Sequence, residues 1–285
     1  MRQEEIKHFK PQHYYTLEIN VKGSTFVYQH EKRIYERAQL EKLAQKVNHA
    51  QALVKKVVTK EKKTYPAPLF NLTDLQQAAY QRYRLGAKQT LNTLQQLYER
   101  HKLVTYPRTD SSYLTTDMVD TLKERIQATM GTEYQPHARG LMNQRFTKQL
   151  PFVNNQKVSD HHAIIPTEVR ANMADLSIQE KKIYLLIVQR FLEALSAPYR
   201  YRETQVEVEL LGKTFVYKSK ETIDMGFKAL QENVDTIHPT IQFQQGERLS
   251  VNEYDIKTHE TSAPPYFNEG SLLKACLLYT SDAAD

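Results

Sequence analysis

The sequence predicts an α+β protein in which a mostly helical block is inserted into a β-rich unit. Two segments of alternating polarity, residues 13–29 and 203–219, each contain a central glycine turn, which is typical of a β-hairpin. They share a related hexapeptide, GSTFVY at 23–28 and GKTFVY at 212–217. The block between them, about 66–200, has the apolar spacing of amphipathic helices. Two distant hairpins of one kind therefore predict one β unit with a helical insertion.

Composition excludes several classes of protein. The chain has 285 residues and a mass of 33.3 kDa, which is enough for more than one folding unit. It contains no run of 18 apolar residues, and its N-terminus lacks the apolar core of a signal peptide. The single cysteine, Cys276, excludes a disulfide framework and a cysteine-rich zinc site. We therefore expect a cytoplasmic protein without a membrane partner.

Positive charge is concentrated near the N-terminus. Residues 1–66 hold 14 lysines and arginines against 7 acidic residues, whereas the remainder holds 25 against 26. Lysines neutralise phosphates and tyrosine rings stack on bases, so this region favours a nucleic-acid partner. The candidate DNA-binding residues of the densest stretch, 54–63, are Lys55, Lys56, Lys60, Lys62 and Lys63. The alternative is a solvated basic loop.

The β-rich start of the chain is followed by one helix and a boundary. Residues 37–50 have helical apolar spacing. Residues 64–71 contain two prolines, which interrupt regular structure. We therefore expect the helical block to begin near this point.

Capping signals position the helices of that block. Thr73 and Gln76 match a capping box that begins the first helix, and Gly86 is expected to end it. Further helices are expected at 87–101 and 115–130 because apolar residues recur there every three or four positions.

A second capping box predicts the last helix of the block. Ser177 and Glu180 have the required spacing, and the helix is expected to end before Pro198. The β pattern returns directly after it, which completes the insertion.

The segment LVTYPRTDSSYL, residues 103–114, is a candidate catalytic segment. Pro107 favours an extended conformation for the residue before it, so Tyr106 and Arg108 are expected on one side of the chain. Tyrosine can attack phosphorus as a covalent nucleophile, and a nearby arginine favours the phenolate and binds the phosphate. The alternative is a tyrosine packed under a loop beside a surface arginine.

A second polar segment, SDHHAIIPT at 159–167, contains adjacent histidines. Side chains of neighbouring residues point in different directions, so His161 and His162 are not expected to chelate one metal. One histidine could bind phosphate or transfer a proton; the alternative is an ordinary core or surface histidine. The chain has no Asp-x-Asp pair, no glycine-rich phosphate loop and no CxxC motif, so we expect it to bind neither a nucleotide nor a catalytic metal by itself.

Together, these segments resemble the type IA DNA topoisomerases, most closely the bacterial topoisomerase III group. VTYPRTDSSYL is similar to the active-site segment of that family, and SDHHAIIPT to its histidine segment. Residues 69–99 resemble the helical pair before the active-site tyrosine, and PPYFNEGSLLKA at 264–275 resembles the return into the clamp domain. The resemblance covers residues 1 to about 275.

The resemblance implies a role for three residues. Tyr106 matches the nucleophile that forms a 5′-phosphotyrosine, Arg108 the arginine that steadies the scissile phosphate, and His161 a histidine near that phosphate. The reaction is then the ATP-independent breakage, passage and rejoining of single-stranded or underwound DNA. The resemblance gives no role to His162.

The resemblance also implies a domain division and a metal. The expected parts are a β-rich hinge domain at 1–65, the helical domain with the tyrosine at 66–200, the second part of the hinge at 201–261, the start of the clamp at 262–275 and a non-native tail at 276–285. Members of the family bind Mg²⁺ through the acidic residues of a Toprim domain, which does not match any part of this chain. We therefore expect the chain alone neither to relax nor to decatenate DNA.

Two other classes of function remain as hypotheses. One is a catalytically inactive fragment that binds single-stranded nucleic acid through its basic segment and tyrosines. The other is a different tyrosine transesterase, either a recombinase or a relaxase. The early tyrosine and the later histidines count against both of these enzymes.

Overall fold

The computed structural model describes residues 2–47, 50–231, 241–272 and 275–276. These residues form two compact units, which we call the sheet unit and the helical unit. The sheet unit lies within 1–63, 200–224 and 235–266, and the helical unit lies within 64–199, 225–234 and 267–285. The described residues combine helices with an antiparallel sheet, so the predicted α+β class is confirmed.

The sheet unit is built on seven strands with two short helices. In chain order, its elements are α1 (Arg2–His8), β1 (His13–Val21), β2 (Ser24–Tyr28), α2 (Arg37–Val47), β3 (Gln51–Thr64), β4 (Tyr199–Leu210), β5 (Lys213–Asp224), β6 (Arg248–Ser250) and β7 (Glu253–Glu260). The strands are arranged in the order β6-β3-β4-β5-β2-β1-β7. One face of this sheet packs with α2 around a core that includes Leu17, Phe26 and Phe215.

The two predicted hairpins are confirmed and belong to one sheet. Their turns, Lys22-Gly23 and Leu211-Gly212, have positive φ at both central residues, which is the geometry that matches the twist of paired strands. The related hexapeptides pair with each other, with Val27 opposite Val216. These two valines occupy equivalent positions in GSTFVY and GKTFVY. The repeated motif therefore marks the junction between the hairpins.

Between residues 64 and 199, the helical unit contains five α-helices joined by short 3₁₀ turns. They are α3 (Leu72–Tyr83), α4 (Ala87–Glu99), α5 (Leu122–Ala128), α6 (Gln135–Leu141) and α7 (Ile178–Leu195). The predicted capping box at the start of α7 is confirmed, because the side chains of Ser177 and Glu180 bond reciprocally to the backbone. The buried face of α7, with Ile183, Ile187 and Phe191, forms the centre of the core of this unit.

Two predicted helix boundaries are wrong. The first helix begins after Asn71, whose side chain accepts a 2.8 Å hydrogen bond from the backbone N–H of Asp74. Thr73 is therefore inside the helix, and the amide of Gln76 donates to the carbonyl of Ala87 instead of closing a capping box. Gly86 does not end this helix but precedes α4 as its N-cap.

The predicted helix at 115–130 is not one continuous α-helix. A 3₁₀ segment, Thr116–Thr121, precedes α5, and a second, Thr129–Gly131, follows it. Apolar spacing alone does not separate these two kinds of helix over a single turn. The buried side chains Met118, Leu122 and Ile126 still share one face, as expected.

Part of the predicted clamp segment and most of the predicted tail, residues 273–274 and 277–285, lie outside the described residues. Within the part that the structure describes, no helix is long and apolar enough to cross a membrane.

Candidate active site

The two polar segments singled out in the sequence lie side by side in the helical unit. Val104 forms an antiparallel bridge with Pro166. The N–H of Thr105 donates to the carbonyl of Ile165 at 3.0 Å, and the N–H of Thr167 donates to the carbonyl of Leu103 at 3.0 Å. The tyrosine segment and the histidine segment are thus held together by their backbones.

Two threonine hydroxyls fix this pairing. Thr105 Oγ1 donates to the carbonyl of Ala163 at 3.0 Å and accepts from the N–H of Ile165 at 3.0 Å. Thr109 Oγ1 donates to the carbonyl of His161 at 2.8 Å and accepts from the N–H of Ser111 at 3.1 Å. These bonds lie on either side of Tyr106 in the sequence, so they define where the tyrosine stands relative to His161.

Tyr106 and His161 are in direct contact. Their ring centroids are 4.0 Å apart, and the ring planes are inclined by 33°. Tyr98, on α4, meets the ring of Tyr106 at right angles with centroids 5.6 Å apart, which is a favoured arrangement of aromatic rings. Tyr106 is half-buried and His161 is exposed. The tyrosine is therefore supported on two sides while the pair stays accessible to a substrate.

Arg108 is exposed two residues after Tyr106, and the intervening Pro107 is buried. Within the described part of the chain, the guanidinium of Arg108 makes no ion pair or side-chain hydrogen bond. An exposed arginine of this kind is available to bind a phosphate close to the tyrosine.

His162 lies in a different environment from its neighbour. It is half-buried, and its Nδ1–H donates to the carbonyl of Ala163 at 2.8 Å. Burial lowers the pKa of His162; the hydrogen bond to Ala163 opposes this shift, and the positive charge of Arg125 adds to it. Burial thus favours the neutral form of the inner histidine, whereas the outer one contacts Tyr106.

The side chain of Arg125 holds the end of the histidine segment through hydrogen bonds and an ion pair. Its guanidinium donates to the carbonyl of Pro166 at 2.8 Å and to Thr121 Oγ1 at 2.9 Å, and it pairs with Glu168 at 2.5 Å. Because Pro166 is bridged to Val104, this buried arginine connects α5 to the strand pairing beside Tyr106.

The five candidate lysines lie on β3 of the sheet unit, which corrects the alternative of a basic loop. Lys55 pairs with Glu209 at 3.2 Å and Lys62 with Glu203 at 2.5 Å. Two of the five positive charges are therefore offset by acidic residues of β4.

The other three lysines are Lys56, Lys60 and Lys63. All three are exposed, and none has an ion-pair partner among the residues that the structure describes. The basic patch is therefore smaller than the sequence indicates. The reason is that β4 is distant in sequence, so its glutamates are not visible as partners.

The described residues do not fit a magnesium site. No group of three or more histidine, cysteine, aspartate or glutamate side chains is placed to hold a metal ion among them. Asp110, four residues after Tyr106, is exposed.

Four supporting residues of the site were not predicted from sequence: Tyr98, Thr105, Thr109 and Arg125. Tyr98 lies within the helix predicted at 87–101, and the threonines lie within the candidate catalytic segment 103–114, but none of them was singled out. Nothing in the local pattern marks Arg125, because its partners lie in the separate histidine segment. Threonines flanking a candidate nucleophile in an extended segment are the one signal that could have been used.

The chain is similar to DNA topoisomerases in sequence. Residues 1–276 match the model of a family described as DNA topoisomerase. The chain is 53% identical over 274 residues to DNA topoisomerase 3 of Staphylococcus aureus strain MRSA252, and 53% identical over the same length to a putative DNA topoisomerase 3 of strain bovine RF122. Each alignment covers 96% of this chain and 38% of the relative. The chain thus spans less than half the length of these relatives.

A solved structure has the same fold. Full-length topoisomerase I from Thermotoga maritima matches with a TM-score of 0.73 and 25% sequence identity. The match covers 97% of this chain and 45% of that chain.

Proposed function

Because the chain belongs to the type IA DNA topoisomerase family, we propose that Tyr106 is the nucleophile that breaks and reseals one DNA strand. The observation that supports this most is the contact between Tyr106 and His161, with ring centroids 4.0 Å apart. It joins the two segments that carry the family resemblance into one accessible site. The overall result is a change in DNA topology, by relaxation or decatenation.

The proposed step exchanges one phosphodiester for another. The phenol oxygen of Tyr106 attacks phosphorus, and the bond from phosphorus to the 3′ oxygen of the preceding nucleotide breaks. The phenol loses its proton, and the departing 3′ oxygen gains one. The downstream strand remains attached to the tyrosine by its 5′ phosphate. Attack by the 3′ hydroxyl on the phosphotyrosine reverses the step and releases the tyrosine. Because the covalent intermediate keeps the energy of the phosphodiester bond, ATP is not needed.

Arg108 and His161 have supporting roles in this proposal. Arg108 binds a non-bridging oxygen of the scissile phosphate and stabilises the charge that builds up during the attack. His161 orients the phenol through ring contact and, being exposed beside it, can donate a hydrogen bond to the same phosphate. Both roles require the substrate to approach the open side of the tyrosine.

Magnesium belongs to the proposal only as an external contribution. The family resemblance implies Mg²⁺ bound by a Toprim domain, and the residues described here do not form such a site. No step is assigned to the metal. The substrate we propose is single-stranded or negatively supercoiled DNA in the bacterial cytoplasm, associated with the nucleoid.

The alternative of a binding fragment without catalysis receives less support from the structure. It relies on the lysines of β3, and Lys55 and Lys62 are already paired with glutamates. The contacts of Tyr106 with Tyr98 and His161 favour a catalytic role over binding alone.

The proposal can be tested by complementation. The chain is mixed with a separately expressed Toprim-and-clamp half, Mg²⁺ and a labelled single-stranded oligonucleotide, and a covalent adduct is sought on a denaturing gel. Wild type is compared with Tyr106→Phe and with Tyr35→Phe, a matched loss of a hydroxyl at an exposed tyrosine of the sheet unit. We expect an adduct in wild type and Tyr35→Phe but not in Tyr106→Phe. An adduct that survives Tyr106→Phe would contradict the proposal.

A further inference from the structure

The helical unit contains an apolar cavity that the proposed reaction does not use. Its volume is about 320 Å³, within the range of ligand pockets. Its walls are made of prolines, aromatic rings and aliphatic side chains: Pro66, Pro68, Pro151, Pro198, Tyr65 and Tyr113, with Phe152 and Leu195 among the others. No charged residue is among those that line it, within the part of the chain described. The cavity therefore suits an uncharged, largely apolar group.

The two sides of the cavity differ in exposure. Phe152 and Leu195 are 6% and 5% exposed and form a dry inner wall. Tyr65, by contrast, is 65% exposed at the outer edge. A large aromatic ring gains little for folding when most of its surface remains in water. Its position beside an apolar cavity is typical of a ring that packs against a ligand.

A lysine stands beside the cavity. Lys157 Nζ donates to the hydroxyl of Tyr113 at 3.1 Å and lies 4.7 Å from the centre of the same ring. Lys157 is itself exposed. Aromatic rings that stack on bases, together with cations that follow the phosphates, are the usual components of single-strand binding sites.

The lining of the cavity is close in sequence to the candidate active site. Ser112 and Tyr113 of its lining follow Tyr106 by six and seven residues, a separation that extended chain spans in roughly 20–25 Å at most. The carbonyl of Tyr113 also accepts a 2.9 Å hydrogen bond from the N–H of Ala163, close after His161. A strand held at Tyr106 can therefore reach the cavity within a few nucleotides.

We propose that this cavity binds one unstacked base of the single strand held at Tyr106, with Lys157 contacting a neighbouring phosphate. The proposal rests on the proposed function, which supplies the strand. The two serine hydroxyls of the lining already make hydrogen bonds within the chain: Ser196 Oγ donates to the carbonyl of Leu192 at 2.7 Å, and Ser112 Oγ accepts from Asn71 at 3.1 Å. The proposed contact is stacking, which depends little on the identity of the base.

Equilibrium binding separates this proposal from the cleavage reaction. The full chain carrying Tyr106→Phe is titrated without Mg²⁺ against fluorescent single-stranded oligonucleotides, either intact or with an abasic site moved through successive positions. Tyr65→Ala is compared with Tyr65→Phe, which keeps the ring, and with Tyr35→Ala, which removes another exposed tyrosine (50% exposed) outside the cavity. Far-UV circular dichroism checks that each variant is folded.

We expect Tyr65→Ala to weaken binding roughly tenfold, since the stacking of one base on the ring is lost. Tyr65→Phe and Tyr35→Ala should bind like the parent. One abasic position should weaken the parent by a similar factor but leave Tyr65→Ala unaffected.

Three results would overturn the proposal. The Tyr65→Ala variant could bind as tightly as the parent, or its loss of affinity could be the same for intact and abasic strands. The parent could also fail to bind single strands at all. Displacement of the strand by proline-rich peptide alone, without any abasic effect, would also reject it in favour of a protein-binding groove. The covalent adduct at Tyr106 is measured separately, so either proposal can fail without the other.

Discussion

The hydroxyl of Thr109 donates a 2.8 Å hydrogen bond to the backbone carbonyl of His161. This bond joins the end of the tyrosine segment to the start of the histidine segment, and Tyr106 lies against His161 just beside it. The threonine is 6% exposed, so water does not replace the bond when it is lost.

Replacing Thr109 with valine should therefore both destabilise and misplace the site. We expect a loss of about 1–2 kcal/mol in the free energy of unfolding, measured with urea, because the buried N–H of Ser111 loses its acceptor and the carbonyl of His161 loses its donor. Thr109→Ser keeps the hydroxyl and should recover most of the adduct yield. Equal adduct yields for the valine and serine variants would show that this bond does not position His161.

Tyr98 should act on Tyr106 through its ring rather than its hydroxyl. The two rings meet at 88° with centroids 5.6 Å apart. We expect Tyr98→Leu to slow adduct formation several-fold, since such ring pairs contribute about 0.5–1.5 kcal/mol. Tyr98→Phe, which preserves the ring, should react like wild type. A slow phenylalanine variant would instead assign the effect to the hydroxyl.

The buried histidine makes stability depend on pH. Burial lowers the pKa of His162 in the folded chain below its value in the unfolded chain. The unfolded chain then binds more protons as the pH falls through the unfolded value of about 6.5, so folding stability declines on acidification and is fully present above that pH. His162→Gln should flatten this dependence between about pH 7 and pH 5. Urea midpoints that fall equally steeply in both proteins would contradict this assignment.

The lysines of β3 should differ in their contribution to DNA binding. Lys56, Lys60 and Lys63 have no ion-pair partner in the part of the chain described, whereas Lys55 and Lys62 are paired with glutamates. If the first three contact phosphates, replacing all three with glutamine should reduce the salt dependence of binding, log K against log salt, by about 2.

The matched double variant Lys55→Gln with Lys62→Gln should change that slope much less. The two sets are compared by fluorescence anisotropy on one single-stranded oligonucleotide over a series of salt concentrations. If both sets of substitutions reduce the slope of log K against log salt equally, the ion pairs of Lys55 and Lys62 with β4 open when DNA binds.

Local sequence signals predicted the elements whose geometry depends on local residues. The hairpin turns at Gly23 and Gly212 need positive φ, and the glycines made them visible. The start of α7 was also predictable from local residues, because the side chains of Ser177 and Glu180 each bond to the backbone of the other residue. At α3, two capping patterns overlapped, and Asn71 rather than Thr73 satisfies the first turn.

The parts that escaped prediction depend on residues distant in sequence. Tyr106 and His161 were each identified, but their contact arises from the strand pairing of Val104 with Pro166. The partners of Lys55 and Lys62 come from β4, far along the chain. Arg125 was not recognised because all that distinguishes it is tertiary contact with Pro166 and Glu168.

The assignment of Tyr106 as the nucleophile is tested most directly by identifying which residue carries the DNA and which end of the broken strand is attached to it. The chain is combined with a Toprim-and-clamp half and Mg²⁺ on a single-stranded oligonucleotide labelled at either its 3′ or its 5′ end, and the adduct is digested and sequenced by mass spectrometry. The proposed mechanism predicts that only the 3′ label remains with the protein and that it maps to the peptide containing Tyr106. Retention of the 5′ label, or attachment to any other residue, would contradict it.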